Sequence, residues 1–342
     1  MSKIRINKQN FFHNLEYLTQ KTGGKEKLMA VLKDNAYGHD LLIMAGLASE
    51  FGIKKAAVKN LDEALRIQSY FDEILILADH PPCTLHPDNI SFAVLSFEFL
   101  KMFPKHANIH LAINTGMHRN GVQMDEIEAA LAYIKTNELN LKGVFTHFRS
   151  ADEMNGALFW QKENFKASKV KVRQWIQEHK MPLPNFHCCN SAALLRQVGP
   201  LEDDFARCGI AMYGYTHIDK SIGTYDLKPV MSLVANRLNT RVLKKGQRVG
   251  YGGVFEASED TVISTYDIGY GDGFFRYDGK GNLKIANGQK ILGRVSMDSM
   301  CLAGDADTVC LFDDATKLAK YFNTITYEVI TKLMPWIKKE VV

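Results

Sequence analysis

No stretch of this 342-residue chain approaches the ~20 consecutive apolar residues that a membrane span requires. Neither sign of charge dominates: 42 Lys and Arg face 38 Asp and Glu, and a net +4 is too little to argue for a nucleic-acid partner. The six cysteines (Cys83, Cys188, Cys189, Cys208, Cys301 and Cys310) form no C-x-x-C pair. On a strand the adjacent Cys188 and Cys189 would point to opposite faces, which argues against joint ligation. The expectation is buried small hydrophobes in a reducing compartment, with no metal site. A nucleotide loop is also missing: Gly269–Gly273 lacks G-x-G-x-x-G spacing and sits among strand-like segments, so it reads as a turn. The start, Met1-Ser2-Lys3-Ile4-Arg5-Ile6-Asn7, alternates like a strand without the apolar core of a signal peptide. A cytoplasmic protein with no membrane or nucleic-acid partner is expected.

What is present describes a globular protein. Hydrophobic residues make up 46% and charged residues 23%, and the length exceeds one ordinary domain. Strand-like runs at 27–33, 54–59, 73–79, 91–96, 108–114, 141–148, 184–190 and 205–212 alternate with amphipathic stretches at 40–51, 61–71, 124–137, 158–179 and 191–197. Asp62, Asp125 and Ser191 sit near plausible helix starts. Eight strands with helices between them predict a parallel α/β unit, and eight closes a TIM barrel; an open doubly wound sheet is the alternative. Beyond about 220–230 the pattern changes to short strands at 232–243, 248–256, 261–268, 283–286, 289–295 and 308–312, with glycine turns between many of them. The predicted organisation is therefore an N-terminal (β/α)8 barrel over 1–226 followed by a mostly antiparallel β domain over 227–342.

Chemistry concentrates at Met29-Ala30-Val31-Leu32-Lys33-Asp34-Asn35-Ala36-Tyr37-Gly38-His39, where an apolar run delivers a lysine to a strand end. Burial and neighbouring cations can lower such a lysine's pKa toward the range that Schiff-base chemistry needs. A surface lysine closing a βα turn is the plainer alternative.

The string from Lys33 to His39 resembles the pyridoxal-phosphate (PLP) lysine motif of alanine racemases, in which the lysine is followed by Asn-Ala-Tyr-Gly-His; Asp34 falls at a variable place. Further strings resemble the family in family order. They are Asn114-Thr115-Gly116-Met117-His118-Arg119-Asn120-Gly121, Thr146-His147-Phe148 with Ser150-Ala151-Asp152, Asn190-Ser191-Ala192, and Arg207-Cys208-Gly209-Ile210-Ala211-Met212-Tyr213-Gly214. The β region adds Val249-Gly250-Tyr251-Gly252, Ile268-Gly269-Tyr270-Gly271-Asp272-Gly273, Arg276, Gly293-Arg294-Val295-Ser296-Met297-Asp298 and Thr326-Tyr327-Glu328.

The resemblance implies a PLP-dependent isomerase interconverting L- and D-alanine and supplying D-alanine for peptidoglycan. Inverting an α-carbon needs a base on each face, with PLP as electron sink. By resemblance Lys33 carries PLP and is the base for the D-amino acid. Tyr251 is the base for the L-amino acid and reaches the site from the partner subunit of a homodimer. A tyrosine with an ordinary pKa of about 10 is a poor base at neutral pH, so His147 followed by Arg207 is implied as its relay. Arg207 is also implied to bond the pyridine nitrogen and, being always protonated, to keep that nitrogen unprotonated. Tyr37, Asn190, Ser191, Gly209, Ile210 and Tyr327 are implied around the cofactor and its phosphate. Arg119 and the N–H of Met297 are implied to hold the substrate.

The chain departs from the pattern at Ala112, where many family members have a carbamoylated lysine seven residues before the arginine matching Arg119. Asn114, a bound anion or water is expected to orient Arg119 instead. His118 and Arg149 stand where family residues are usually smaller, and the chain is shorter than typical members between Met297 and Tyr327. Other readings remain open: a racemase of serine, lysine or other amino acids, a decarboxylase on the same barrel (opposed by Arg207), and a PLP carrier without turnover. Carriers of that kind are typically barrel-only, so the β domain bearing Tyr251, Arg276 and Met297 argues against the last.

Overall fold

The computed structural model describes residues 1–342, which divide into two compact units. One contains Phe12–Ala36 and Leu41–Leu227; the other contains Met1–Phe11, Tyr37–Asp40 and Lys228–Val342. In chain order the first strand is β1 (Lys3–Ile6), and eight more follow in the first unit. These are β2 (Leu28–Val31), β3 (Lys55–Val58), β4 (Glu73–Ile76), β5 (Ile90–Val94), β6 (Asn108–Ala112), β7 (Asn140–Phe145), β8 (Asn185–His187) and β9 (Ala206–Cys208).

Strands β2 to β9 form one parallel sheet in the order β8-β7-β6-β5-β4-β3-β2-β9. The two ends meet through backbone bonds from Arg207 N to Cys189 O at 2.9 Å and from Asp204 N to Phe186 O at 2.9 Å, which closes a TIM-like barrel. All eight predicted runs supply a strand. Every residue of β2 and of β5 is buried, as parallel strands covered on both faces must be, which is why they read as continuous apolar runs. Helices Leu41–Phe51, Leu61–Ile67, Ile127–Thr136, Ala157–Glu178 and Ser191–Leu195 occupy the amphipathic stretches. Asp62 and Ser191 do lie in the first turns of their helices; the caps are Asn60, which accepts from Glu63 N ahead of Leu61–Ile67, and Asn190, which accepts from Ala193 N ahead of Ser191–Leu195.

The second unit holds β10 (Met231–Leu243), β11 (Arg248–Val249), β12 (Phe255–Glu256), β13 (Thr261–Tyr266), β14 (Ile291–Leu292), β15 (Met300–Ala303), β16 (Thr308–Phe312) and β17 (Lys338–Val341). Its main sheet runs β14-β15-β13-β10-β1-β17, with β16 also on β10. All its pairings are antiparallel except that of β1 with β17. A division at 226/227 would put Met1–Phe11 with the barrel. The pairing of Ile4 with Leu233 and with Lys339 puts it in the second sheet instead. An alternating strand read in isolation does not reveal its partner. The predicted strand at 283–286 is reduced to a single bridge between Lys284 and Lys290.

The cysteines also differ from expectation. Cys83 is exposed, and Cys301 and Cys310 are half-buried. Cys188 and Cys189 lie just past the end of β8, where the strand geometry that would separate them no longer applies; their sulfurs are 4.0 Å apart. No group of three or more His, Cys, Asp or Glu is placed to hold a metal ion, and no helix is long and apolar enough to cross a membrane.

Candidate functional site

Every candidate site residue of the first unit lies at or just beyond the C-terminal end of a barrel strand, the end where such barrels carry their chemistry. Lys33 follows β2, Arg119 the loop after β6, His147 β7, and Asn190 and Ser191 β8; Arg207 is within β9, with Gly209 and Ile210 just after it.

The backbone that presents Lys33 is unusual. Asp34, Asn35, Ala36 and Tyr37 have φ of 55°, 55°, 50° and 55°, a left-handed helical turn of four non-glycine residues. Each such residue costs about 1–2 kcal/mol, so other contacts must hold the turn. The carboxylate of Glu63, itself buried, does so: it accepts from Asn35 N at 2.8 Å and from Lys59 N at 2.9 Å. The Asn35 side chain then accepts from Leu41 N at 2.9 Å, and Ala36 N donates to Leu32 O at 2.8 Å. Sequence reasoning missed Glu63, because a glutamate in the first turn of an amphipathic helix looks like any other acidic start.

Charge gathers at the mouth. His147 is an exposed residue whose ring is nonetheless largely surrounded by protein atoms. That enclosure, followed by the cations Arg207, Arg119 and Lys33, lowers its pKa to about 3, so the imidazole is neutral at ordinary pH. The expected His147–Arg207 relay is not a hydrogen bond here. Arg207 bonds His187, through Nη1 to both the ring Nδ1 and the carbonyl, and Thr146 O, at 2.7 Å from Nη2. His187 carried no signal in sequence beyond that of a histidine on an apolar strand.

Ser191 Oγ accepts from Gly209 N at 3.1 Å and from Ala211 N at 3.4 Å, so the turn after β9 and the helix after β8 share one polar point. Asn114 organises the loop before Arg119, accepting from Gly116 N at 3.2 Å and His118 N at 2.9 Å and donating to Gln123 Oε1 at 3.2 Å. It does not bond Arg119, which is exposed and has no hydrogen bond or ion pair of its own; Ala112 is buried in β6. Arg149 Nη1 donates to Gly116 O at 3.1 Å, buttressing the same loop.

The second unit assembles the remaining residues. Tyr37 and Tyr327 face each other with ring centroids 5.9 Å apart. Gly38 passes so close that an added Cβ would lie 2.2 Å from Ile330 O. The two strings Ile268–Gly273 and Gly293–Asp298 dock backbone to backbone, through Tyr270 N to Ser296 O at 3.0 Å and Gly271 N to Met297 O at 2.8 Å. Tyr251, 72% exposed between two left-handed glycines, lines a cavity of about 340 Å³ with Tyr270, Arg276, Tyr277, Asp278 and Arg294. Met297 is 55% exposed, which is not the environment of a core methionine.

The donor set of the first unit fits a phosphorylated aromatic aldehyde. A primary amine can bond the aldehyde carbon. The Ser191 hydroxyl hydrogen and the Ile210 N–H suit a phosphate, Gly209 N–H being bonded to Ser191 Oγ. Three of the five Arg207 N–H groups are committed to protein acceptors (the three bonds named above), leaving two for a ring nitrogen at the mouth.

The family model described as "Alanine racemase, N-terminal domain" matches residues 6–217, and "Alanine racemase, C-terminal domain" matches 230–341. An alanine racemase of Campylobacter curvus is 48% identical over 342 residues, all of both chains. One of Nitratiruptor sp. is 48% identical over 333 residues, 97% of each. Among solved structures, alanine racemase of Bacillus anthracis with bound L-Ala-P superposes with a TM-score of 0.86 at 27% identity, covering 100% of this chain and 95% of that one. Alanine racemase of E. faecalis gives 0.84 at 26%, covering 100% and 98%.

Proposed function

The chain belongs to the alanine racemase family, and from that premise we propose that it interconverts L-alanine and D-alanine with PLP as cofactor, supplying D-alanine for peptidoglycan. The observation that carries this reading is the delivery of Lys33, Arg119, His147 and Arg207 to the same, C-terminal end of the barrel strands. PLP, when bound, withdraws electrons from the substrate and makes its Cα proton acidic.

The protein's own side chains do the rest. Lys33 would hold the cofactor covalently, and its amine, once the substrate's amine has displaced it, would move the proton on one face of Cα; Tyr251 would move it on the other. Two bases on opposite faces make inversion possible, whereas one would only exchange the proton. The guanidinium of Arg207, which stays protonated, would donate to the cofactor's ring nitrogen and so favour its unprotonated form. The neutral imidazole of His147 would offer the Tyr251 phenol a hydrogen-bond acceptor, helping it to act as a base. Ser191, Gly209, Ile210, Asn190, Tyr37 and Tyr327 hold the phosphate; Arg119 and the Met297 N–H hold the substrate carboxylate. The barrel binds PLP and the β domain supplies the second base. The protein works as a cytoplasmic homodimer in which Tyr251 serves the partner's barrel, engaging neither membrane nor nucleic acid.

Chiral analysis after incubation with PLP and L-alanine in D₂O tests the assignment. D-alanine carrying deuterium at Cα is expected. No exchange with PLP bound would overturn the substrate assignment, and equal turnover of serine would overturn the preference for alanine.

A further inference from the structure

A file of five polar side chains runs through the inside of the barrel, away from the mouth. Arg207 Nη1 donates to His187 Nδ1. His187 Nε2 lies 2.8 Å from His110 Nδ1. His110 Nε2 lies 3.3 Å from Glu73 Oε1, and neither of those two atoms has another partner. Glu73 Oε2 closes on Lys55 Nζ. Lys55 and Glu73 pair in register as the first residues of β3 and β4, at the end of the barrel opposite the mouth.

Hydrogen-bond logic gives this file a single direction. A guanidinium has donors only, so His187 Nδ1 must accept, and its proton must sit on Nε2. His187 Nε2–H then requires an accepting His110 Nδ1, which puts the His110 proton on Nε2, facing the Glu73 carboxylate. The arrangement needs both imidazoles neutral. Burial, then Arg207, holds the His187 pKa well below its ordinary value. Burial acts to raise the Glu73 pKa, and the hydrogen bond from His110 and the Lys55 ammonium outweigh it, leaving the carboxyl ionised.

The surroundings prevent the rings from turning. His187 is stacked between Phe145, with centroids 5.1 Å apart, and Phe205, at 4.4 Å. Gly143 clears space for His110: an added Cβ would lie 2.3 Å from His110 Nδ1. Barrel interiors are ordinarily filled with layers of branched apolar side chains, and apolar groups of equal volume generally stabilise a core at least as well as buried ions do. A fully buried histidine pair ending in a paired carboxylate is therefore poorly explained by stability alone.

We propose that Glu73 and His110 are positioning residues for the reaction: they fix the proton arrangement of His187 and so hold the Arg207 guanidinium in one orientation toward the cofactor's ring nitrogen. The inference rests on the reading above for what Arg207 faces, and it concerns only this chain's residues.

Nitrogen NMR of the ¹⁵N-histidine-labelled holoenzyme tests it directly. His187 and His110 are each expected as one tautomer, protonated on Nε2 and bare on Nδ1. A proton on His187 Nδ1 would overturn the proposal without any variant. In His110→Phe, His187 loses its acceptor. Its tautomers should mix, the signal of ¹⁵N-labelled PLP ring nitrogen should move, and kcat should fall about tenfold, the worth of one net hydrogen bond, with KM for L-alanine little changed. His110→Gln, whose amide can accept from His187 and donate to Glu73, should restore all three. A folded His110→Phe protein with both nitrogen signals unmoved, or a His110→Gln protein no better than His110→Phe, would refute the positioning role. If the tautomers are as assigned and the wild-type protein racemises nothing, the activity reading fails and the proton arrangement stands.

Discussion

Removing the Glu63 carboxylate should release the turn that presents Lys33. That carboxylate accepts two backbone N–H bonds, from Asn35 and Lys59, and no other side chain accepts from either group. Hydrogen bonds to a charged acceptor contribute about 1.5 kcal/mol each at the low end, so Glu63→Ala should cost ~3 kcal/mol. The loss falls on four left-handed residues that are strained by roughly 1–2 kcal/mol each. It should therefore appear as local opening rather than global unfolding. Hydrogen exchange followed by mass spectrometry reads this: amides in the segment 33–41, Ala36 N–H above all, should exchange on the order of 10²-fold faster, while β6 and β7 stay protected. Glu63→Gln keeps one accepting oxygen and should fall between. Unchanged exchange across 33–41 in a folded Glu63→Ala protein would refute the reasoning, because the turn would then be held by something other than this carboxylate.

Other outcomes follow from single sites. Lys169 and Asp203 form a buried ion pair at 2.6 Å, so Lys169→Met should cost about 3–5 kcal/mol by stranding Asp203, and Lys169→Met with Asp203→Leu should recover most of it; a denaturant double-mutant cycle checks this. For Glu73, burial raises the carboxyl pKa but His110 and Lys55 win, taking it from 4.5 to about 2. A folded-state pKa below the unfolded value gives stability that is present above about 4.5 and lost as pH falls toward 2. An acid-unfolding titration should show that slope in the wild-type protein and lack it in Glu73→Gln. Tyr251→Phe should lose at least 10²-fold in the L-to-D direction while PLP stays bound; full activity both ways would end the two-base assignment. Arg119 is exposed with Ala112 where a carbamoylated lysine would otherwise stand, so substrate KM should respond to chloride or bicarbonate; complete indifference would remove the case for an anion there.

Much of the fold was legible because its signals are local. The runs that became β2 to β9 are short, apolar and evenly interrupted, and burial on both faces leaves that mark whatever the partners are. The strings around Lys33, Arg119, Arg207 and Tyr251 were legible for the same reason, since each keeps fixed spacing within a few residues. The helix starts near Asp62 and Ser191 were legible too, whereas the residues that cap them, Asn60 and Asn190, were not singled out.

Contacts between distant segments could not be read. β1 was visible as a strand, but its place between β10 and β17 depends on residues more than two hundred positions away. Nothing in Asp34-Asn35-Ala36-Tyr37 announces a left-handed turn, since alanine and tyrosine ordinarily avoid that region; Glu63 makes it tolerable from another element. His187, His110 and Glu73 each look like ordinary core or edge residues in sequence. Sequence by itself determined the alternation that folds into a barrel and the residue types delivered to its mouth, because backbone periodicity and short motifs are local properties of a chain. Only the tertiary structure decided which polar groups meet in the barrel interior and in which direction their hydrogen bonds run, because a buried donor must find its acceptor in space, and the closed ring of strands brings together residues that the chain keeps far apart.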